Sequence, residues 1–373
     1  MKTRKVYLLK DDSFTAAQVK TVDINIKDPI ASIDIIVRMT NGAAMTESSI
    51  VKPHDEFNRI ELIDGSDVIV SASMRQLQAL NAAEMRSMPP MSLSLENDAV
   101  QTEQATIHFG IGKNDPSLYF LPTLFKNPQL KITNAFTAAA VTSWAASGHT
   151  LSVVANIIEE GALPNAGFFM TKEVYAHTAV DGAIEVIDMP RDYAYRLIMI
   201  EALKTANSPI LTVEKLKLTC DADKYVPYDI DSRDLMLENR ALFGSFEQTL
   251  KKRLTGAGII YADLYDLVKA VITQDTTLSV VGKLTISGEV LTTEVLIGAA
   301  GVNALSTVEG VCYAVAVGYG VHSSLYMPFG RLDQPSEWFD PTLWGDVKLK
   351  VTGESAVGTV KTVIQQLRVP VAQ

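Results

Sequence analysis

Apolar and polar residues alternate over short runs along most of the chain, and Gly, Pro, Asn and Asp separate the runs. Ile60 and Leu62, and again Leu216 and Leu218, fall at every second position, the spacing of a strand that buries one face. Two short segments read as helix instead, each directly after a strand pair. Ser73 with Gln76 three residues on forms a capping-box signature. Asp231 is placed to cap the second helix, with Asp234 near its positive end. The stretch Ala262–Thr273 fits helix or strand.

Three blocks of this pattern occur twice in the same order. In the first block Ile24–Pro29 and Ile33–Met39 match Ile184–Pro190 and Tyr193–Ile200, each a short strand, an Asp/Pro break and a longer strand. Proline lacks the N–H that a ladder needs, which places the breaks between strands or at an edge. The second block runs Arg59–Asp67, Val68–Val70 and Ser73–Asn81 against Lys215–Asp223, Tyr225–Tyr228 and Asp231–Asn239, each a strand, polar turn, short strand and helix. In the third, Leu130–Thr133 and Thr150–Val154 match Leu349–Thr352 and Thr359–Val363. Between helix and closing strands the second copy holds about 61 more positions than the first (110 from Asn239 to Leu349 against 49 from Asn81 to Leu130). An insertion of that size belongs in surface loops, here within Phe243–Trp344, where loop closure costs little.

The repeat divides the chain into an arm (residues 1–19), a first unit (20–160), a linker (161–180) and a second unit with enlarged loops (181–373). About eight antiparallel strands per unit, each with one short helix, predict an all-β fold of two tandem sandwiches or jelly rolls. At 373 residues the chain is long enough for two cores.

The pattern of strand with Asp/Pro break, strand with polar turn, short strand and helix resembles the double jelly-roll major capsid proteins of tailless, membrane-containing icosahedral viruses of the tectivirus and corticovirus type. The segments that carry it are Phe57–Asn81 and Met189–Gly244, above all Met189–Ile200 and Asp231–Gly244. The resemblance implies two eight-stranded jelly rolls and a non-enzymatic shell role. It implies a homotrimer acting as a pseudo-hexameric capsomer, contacts with neighbouring capsomers and minor or vertex proteins, synthesis in a host cytoplasm and residence in the virion. An internal viral membrane is a further expected partner.

Charge and composition fit that expectation. The net charge of −10 argues against a broad phosphate-binding surface and direct nucleic-acid contact. Met1–Lys10 is the basic exception: Lys2, Arg4, Lys5 and Lys10, with Val6, Leu8 and Leu9, suit anionic lipid headgroups on the inner side of a shell, although a disordered terminus has the same composition. The apolar run Val6–Leu9 is too short for a signal peptide. Cys220 and Cys312, in separate strand-like segments, read as buried free thiols.

No catalytic, cofactor or metal constellation stands out. His54, His108, His149, His177 and His322 form no H-x-H or H-E-x-x-H pair, which argues against a bicupin enzyme. The acidic group Asp221, Asp223, Asp229, Asp231 and Asp234 lacks the EF-hand register and reads as turn and cap chemistry. Gly110–Gly112 and Gly318–Gly320 read as strand ends or bulges, and Lys251–Arg253 as a solvated face. The late aromatics Tyr313, Tyr319, Tyr326, Phe329, Trp338, Phe339 and Trp344 suit a core or subunit contact. They also keep an alternative open, a two-domain β-sandwich that binds or cleaves glycans.

Overall fold

The computed structural model describes residues 1–43, 51–137, 144–204, 207–255, 258–274, 280–287, 290–297, 304–305 and 309–369. The chain begins with β1 (Lys2–Phe14), β2 (Gln18–Asp23), β3 (Ile30–Thr40), a single helical turn α1 (Pro53–Glu56), β4 (Arg59–Asp64) and β5 (Asp67–Ala72). Helix α2 (Met74–Met85) follows, then β6 (Met91–Leu95), β7 (Val100–His108), β8 (Pro128–Asn134) and β9 (His149–Glu160). Strands β1-β9-β3-β7 lie side by side in one sheet and β2-β8-β4-β5 in another. Their facing apolar residues, among them Ile33, Ile35, Val37, Ile60, Leu62, Ile132 and Val153, make the first core. Each such side chain removed from water contributes roughly 1.5–3 kcal/mol.

The second roll repeats the plan. It comprises β10 (Phe168–Thr178), β11 (Ile184–Asp188), β12 (Ala194–Leu203), β13 (Val213–Cys220), β14 (Tyr225–Asp231) and helix α3 (Ser232–Phe243). Strands β15 (Phe246–Thr255), β16 (Gly258–Tyr261), β17 (Leu264–Tyr265), β18 (Lys269–Gln274), β19 (Val280–Ser287), β20 (Val290–Ile297), β21 (Ala304–Leu305), β22 (Glu309–Gly318) and β23 (Gly320–Val321) form the enlarged insertion. The roll closes with β24 (Ser324–Pro328), β25 (Val347–Gly353) and β26 (Thr359–Arg368). Its two sheets run β10-β26-β12-β24 and β11-β25-β13-β14, around a second core that includes Ile198, Ile200, Leu216, Leu218, Leu349 and Ile364.

The two rolls share sheets. Strand β5 pairs with β10 in parallel, Val70 opposite Thr171, and β6 pairs with β15 in parallel, Leu93 opposite Leu250. Each junction joins strands of both units into one eight-stranded sheet. A third apolar core fills the space between the rolls, where Leu80, Leu93, Leu197, Met199, Phe243, Phe246, Leu250 and Tyr326 meet. Strand β12 is therefore covered on both faces, with Ile198 and Ile200 in the second core and Leu197 and Met199 in the third. This explains its unbroken apolar run, which a half-exposed strand would interrupt with polar residues.

Several expectations need correction. Residues 1–19 are not an arm. Lys2–Phe14 is an edge strand laid antiparallel on β9, from Lys2 opposite Glu160 to Phe14 opposite His149. Having one neighbour only, it shows charged residues to solvent, while Val6, Leu8 and Leu9 pack against the first core. Residues 161–180 are not a linker either: Phe168–Thr178 is the first strand of the second roll, paired with both β26 and β5. The segment Ala262–Thr273 holds strands and no helix, and Ile24–Pro29 lies beyond the end of β2. The insertion is built largely of strands rather than loops. Strands β15, β22 and β18 prolong the sheet of the first roll, and β16, β19, β20 and β21 make a small sheet of their own. The capping box forms as expected: Gln76 N donates to Ser73 Oγ and Ser73 N donates to Gln76 Oε1. Asp231 occupies the N-cap of α3 without a side-chain hydrogen bond to it.

Candidate functional site

A buried polar cluster lies between the first roll and the insertion of the second. His54 stands on α1, whose N-cap is Lys52, while Asp263 and His322 flank β17 and β23, which pair with each other. Lys52 Nζ lies 2.5 Å from Asp263 Oδ1 and also donates to Tyr261 O. The other Asp263 oxygen accepts from Gln248 Nε2 at 2.5 Å. His54 Nδ1 lies 2.9 and 3.0 Å from the two Glu103 oxygens, and His322 Nε2 lies 2.7 Å from Gln78 Oε1. All these side chains are buried. A cleft of about 150 Å³ adjoins them, lined by Lys52, His54, Asp55, Arg75, Asp263 and Ser323 among others.

Burial alone would lower the pKa of His54, but the carboxylates of Glu103, Asp55 and Asp263 outweigh it and hold the imidazole above 6.5. Burial, with His54 alongside, holds His322 well below 6.5. Burial works against the Asp263 carboxylate, yet Lys52 and the two histidines keep its pKa far below the ordinary carboxylate range. One ligand atom each from His54, Asp263 and His322 lie within 4.8 Å of one another. The sequence offered these histidines as isolated residues, because nothing local to either one signals that the fold brings them together.

A second buried polar link joins the rolls. Arg196 on β12 reaches Glu84 on α2 at 2.6 Å, donates to Leu332 O and Gln365 Oε1, and stacks over Phe169. Glu84 also accepts from Gly112 N.

The basic residues of β1 are exposed, and most are already engaged within the chain. Lys2 pairs with Glu160 at 2.7 Å, and Arg4 with Asp28 and Glu159 at 2.9 and 3.0 Å. Lys5 is 3.9 Å from Asp34, and Lys10 lies over the Tyr7 ring. In the acidic group, Asp221 Oδ1 accepts from Asp346 N, Asp223 lies near Lys217 and Lys350, and Asp229 pairs with Lys215. Turn and ion-pair chemistry accounts for these groups. Lys251 pairs with Glu96, whereas Lys252 is 1% exposed, so the basic run is not the solvated face expected of it. Cys220 is a buried free thiol whose pKa burial pushes up to about 11; the side chain of Cys312 lies outside the described residues.

Of the late aromatics, Tyr326, Phe329, Trp338 and Phe339 are buried. Trp344 stacks on Tyr225 at 5.0 Å beside an open concavity of about 600 Å³. The two carboxylates at its rim serve local structure: Glu337 accepts from Arg331 N, and Asp340 accepts from Thr342 N and Oγ1.

No protein-family model matches the sequence, and no curated protein matches it. Solved structures do. The chain is similar to the STIV MCP at a TM-score of 0.61 and 10% identity, over 99% of this chain and 98% of that one. The major capsid protein of bacteriophage PM2 superposes at 0.54 and 10% identity, over 99% and 98%. A chain of the PBCV-1 virus capsid does so at 0.54 and 10%, over 98% and 93%. At this identity the likeness is one of fold, and along essentially the whole chain that fold is the double jelly roll.

Proposed function

We propose that this chain is the major capsid protein of an icosahedral virus and works as a homotrimeric, pseudo-hexameric capsomer. The observation that carries the proposal is the fusion of two similar rolls, side by side, by sheets that run through both. Three such chains around one axis place six near-equivalent rolls in a ring, which fits a hexagonal lattice position while needing threefold symmetry only. The contact from the first roll of one subunit to the second roll of the next is heterologous and closes after three steps. Full-length similarity of fold to the PM2 and PBCV-1 capsid chains supports the same reading. At the Tyr225–Trp344 concavity the two rim carboxylates, Glu337 and Asp340, accept local hydrogen bonds, which does not favour the glycan-cleaving alternative. We place the division between the units at the turn before β10, and the exposed lysines of β1 on the membrane side of the shell.

Sedimentation of the purified chain at micromolar concentration tests the proposal, together with negative-stain imaging of its assemblies. A trimer, or particles built of hexagonal units, is the expected result. A folded chain that stays monomeric overturns the proposal and favours glycan binding at the Tyr225–Trp344 concavity.

A further inference from the structure

The hydrogen bonds around His54 and His322 fix which ring nitrogens remain available. His54 Nδ1 faces both oxygens of Glu103 and so carries the proton of that contact, leaving Nε2 on the side of Asp263, 3.5 Å from its Oδ1. The Gln78 amide is oriented by its Nε2, which donates to Glu103 Oε2 and to Gln104 O. Its Oε1 is therefore an acceptor, and the partner nitrogen, His322 Nε2, carries a proton. That leaves His322 Nδ1 as a buried nitrogen with no hydrogen-bond partner among the described residues. An orphaned buried polar atom costs about 1–3 kcal/mol unless something satisfies it. The two rings are close, with centroids 4.5 Å apart.

We infer that His54 Nε2, His322 Nδ1 and an Asp263 oxygen bind a divalent transition-metal ion of the Zn²⁺ class, with a water from the adjoining cleft as fourth ligand. Two imidazoles and one carboxylate are a borderline donor set that suits Zn²⁺ or Co²⁺, whereas Ca²⁺ and Mg²⁺ favour all-oxygen shells. Tetrahedral Zn²⁺ with ligands at 2.0–2.1 Å holds neighbouring donor atoms about 3.3 Å apart. The His54–Asp263 spacing of 3.5 Å is already close to this. Small side-chain shifts bring in the third ligand from within the 4.8 Å envelope. The outer partners are those a metal site needs: Glu103 on one histidine, Gln78 on the other, and Lys52 and Gln248 on the carboxylate. A proton on His54 is the competing occupant, but it leaves His322 Nδ1 unsatisfied. His54 comes from the first roll, and Asp263 and His322 from the insertion of the second. The ion thus clips the insertion onto the neighbouring roll, a role separate from the proposed shell function.

The test uses the untagged full-length chain, stripped with a chelator and titrated with CoCl₂. One equivalent per chain with the intense visible absorption of tetrahedral Co²⁺, displaced by Zn²⁺, is expected. His322→Gln should remove that absorption, and Glu103→Gln should weaken binding about 10- to 100-fold. Absence of the absorption in the wild-type chain, or its persistence in a folded His322→Gln variant, overturns the inference. Should that variant fail to fold, X-ray absorption of the Zn²⁺-loaded wild-type chain decides: imidazole scattering supports the site, and an all-oxygen shell overturns it.

Discussion

Asn81 and Asn239 do the same job in the two rolls. Asn81 on α2 donates through Nδ2 to Thr106 O and accepts from Thr106 N, both at 2.7 Å. Asn239 on α3 donates to Tyr326 O and accepts from Tyr326 N, again at 2.7 Å. Each clasps the backbone of a strand, β7 or β24, that ends its own roll's four-stranded set. Only a carboxamide supplies donor and acceptor side by side in this way. Asn239→Leu strands a buried N–H and a buried C=O. A loss of about 2–5 kcal/mol in urea-unfolding free energy is expected. Asn239→Asp keeps the acceptor and loses the donor, and should also destabilise.

The Arg196–Glu84 pair makes a second prediction. Both side chains are almost fully buried, at 4% and 7% exposure. Removing one partner leaves a buried charge, so Glu84→Ala is expected to cost about 3–5 kcal/mol. Glu84→Leu combined with Arg196→Met removes both charges and should cost far less than the sum of the two single changes. A double-mutant cycle measured by denaturant unfolding checks this.

Acid should loosen the far end of the first roll through His149. This buried ring accepts from Thr40 N at Nδ1 and faces Ala145 O with Nε2, so its neutral form satisfies both nitrogens. Burial lowers its pKa below 6.5 despite the Ala145 carbonyl. Below 6.5 the folded chain then binds fewer protons than the unfolded one, and stability falls as pH falls. His149→Gln keeps an acceptor for Thr40 and should flatten this part of the stability–pH curve between pH 7 and 5.

The membrane-side placement of β1 is best tested by charge rather than by truncation. Deleting residues 2–10 would strip a paired strand from β9 and damage the roll itself. Lys2 and Arg4 are held in short ion pairs, whereas Lys5 sits 3.9 Å from its partner and Lys10 has a ring contact. Lys5→Glu with Lys10→Glu should preserve the fold and reduce flotation with anionic phosphatidylglycerol vesicles, by roughly 1 kcal/mol per lysine lost. Unchanged flotation would remove β1 from the membrane face.

Much of the architecture was legible in the sequence. The repeated blocks mark β3 and β12, β4 and β13, β5 and β14, α2 and α3, β8 and β25, and β9 and β26. The first strand of each roll was not, because β1 is an edge strand with a charged outer face and β10 follows a Gly/Pro-rich turn. The sequence carries a further repeat signal in Pro122-Thr-Leu124 and Pro341-Thr-Leu343, each a single 3-10 turn just before β8 or β25. The metal-ligand candidates were illegible for another reason. His54 and His322 belong to different halves of the chain, and only the seam between the rolls makes them neighbours.

That seam also bears on how the protein is made. Until β10 and β15 emerge from the ribosome, the outer edges of β5 and β6 in a completed first half have no strand to pair with, and such edges recruit other chains. Carrying both halves on one polypeptide supplies the missing strands at high local concentration, ahead of any stranger. It also fixes the ratio of the two kinds of roll at one to one, with no assembly step left to count them.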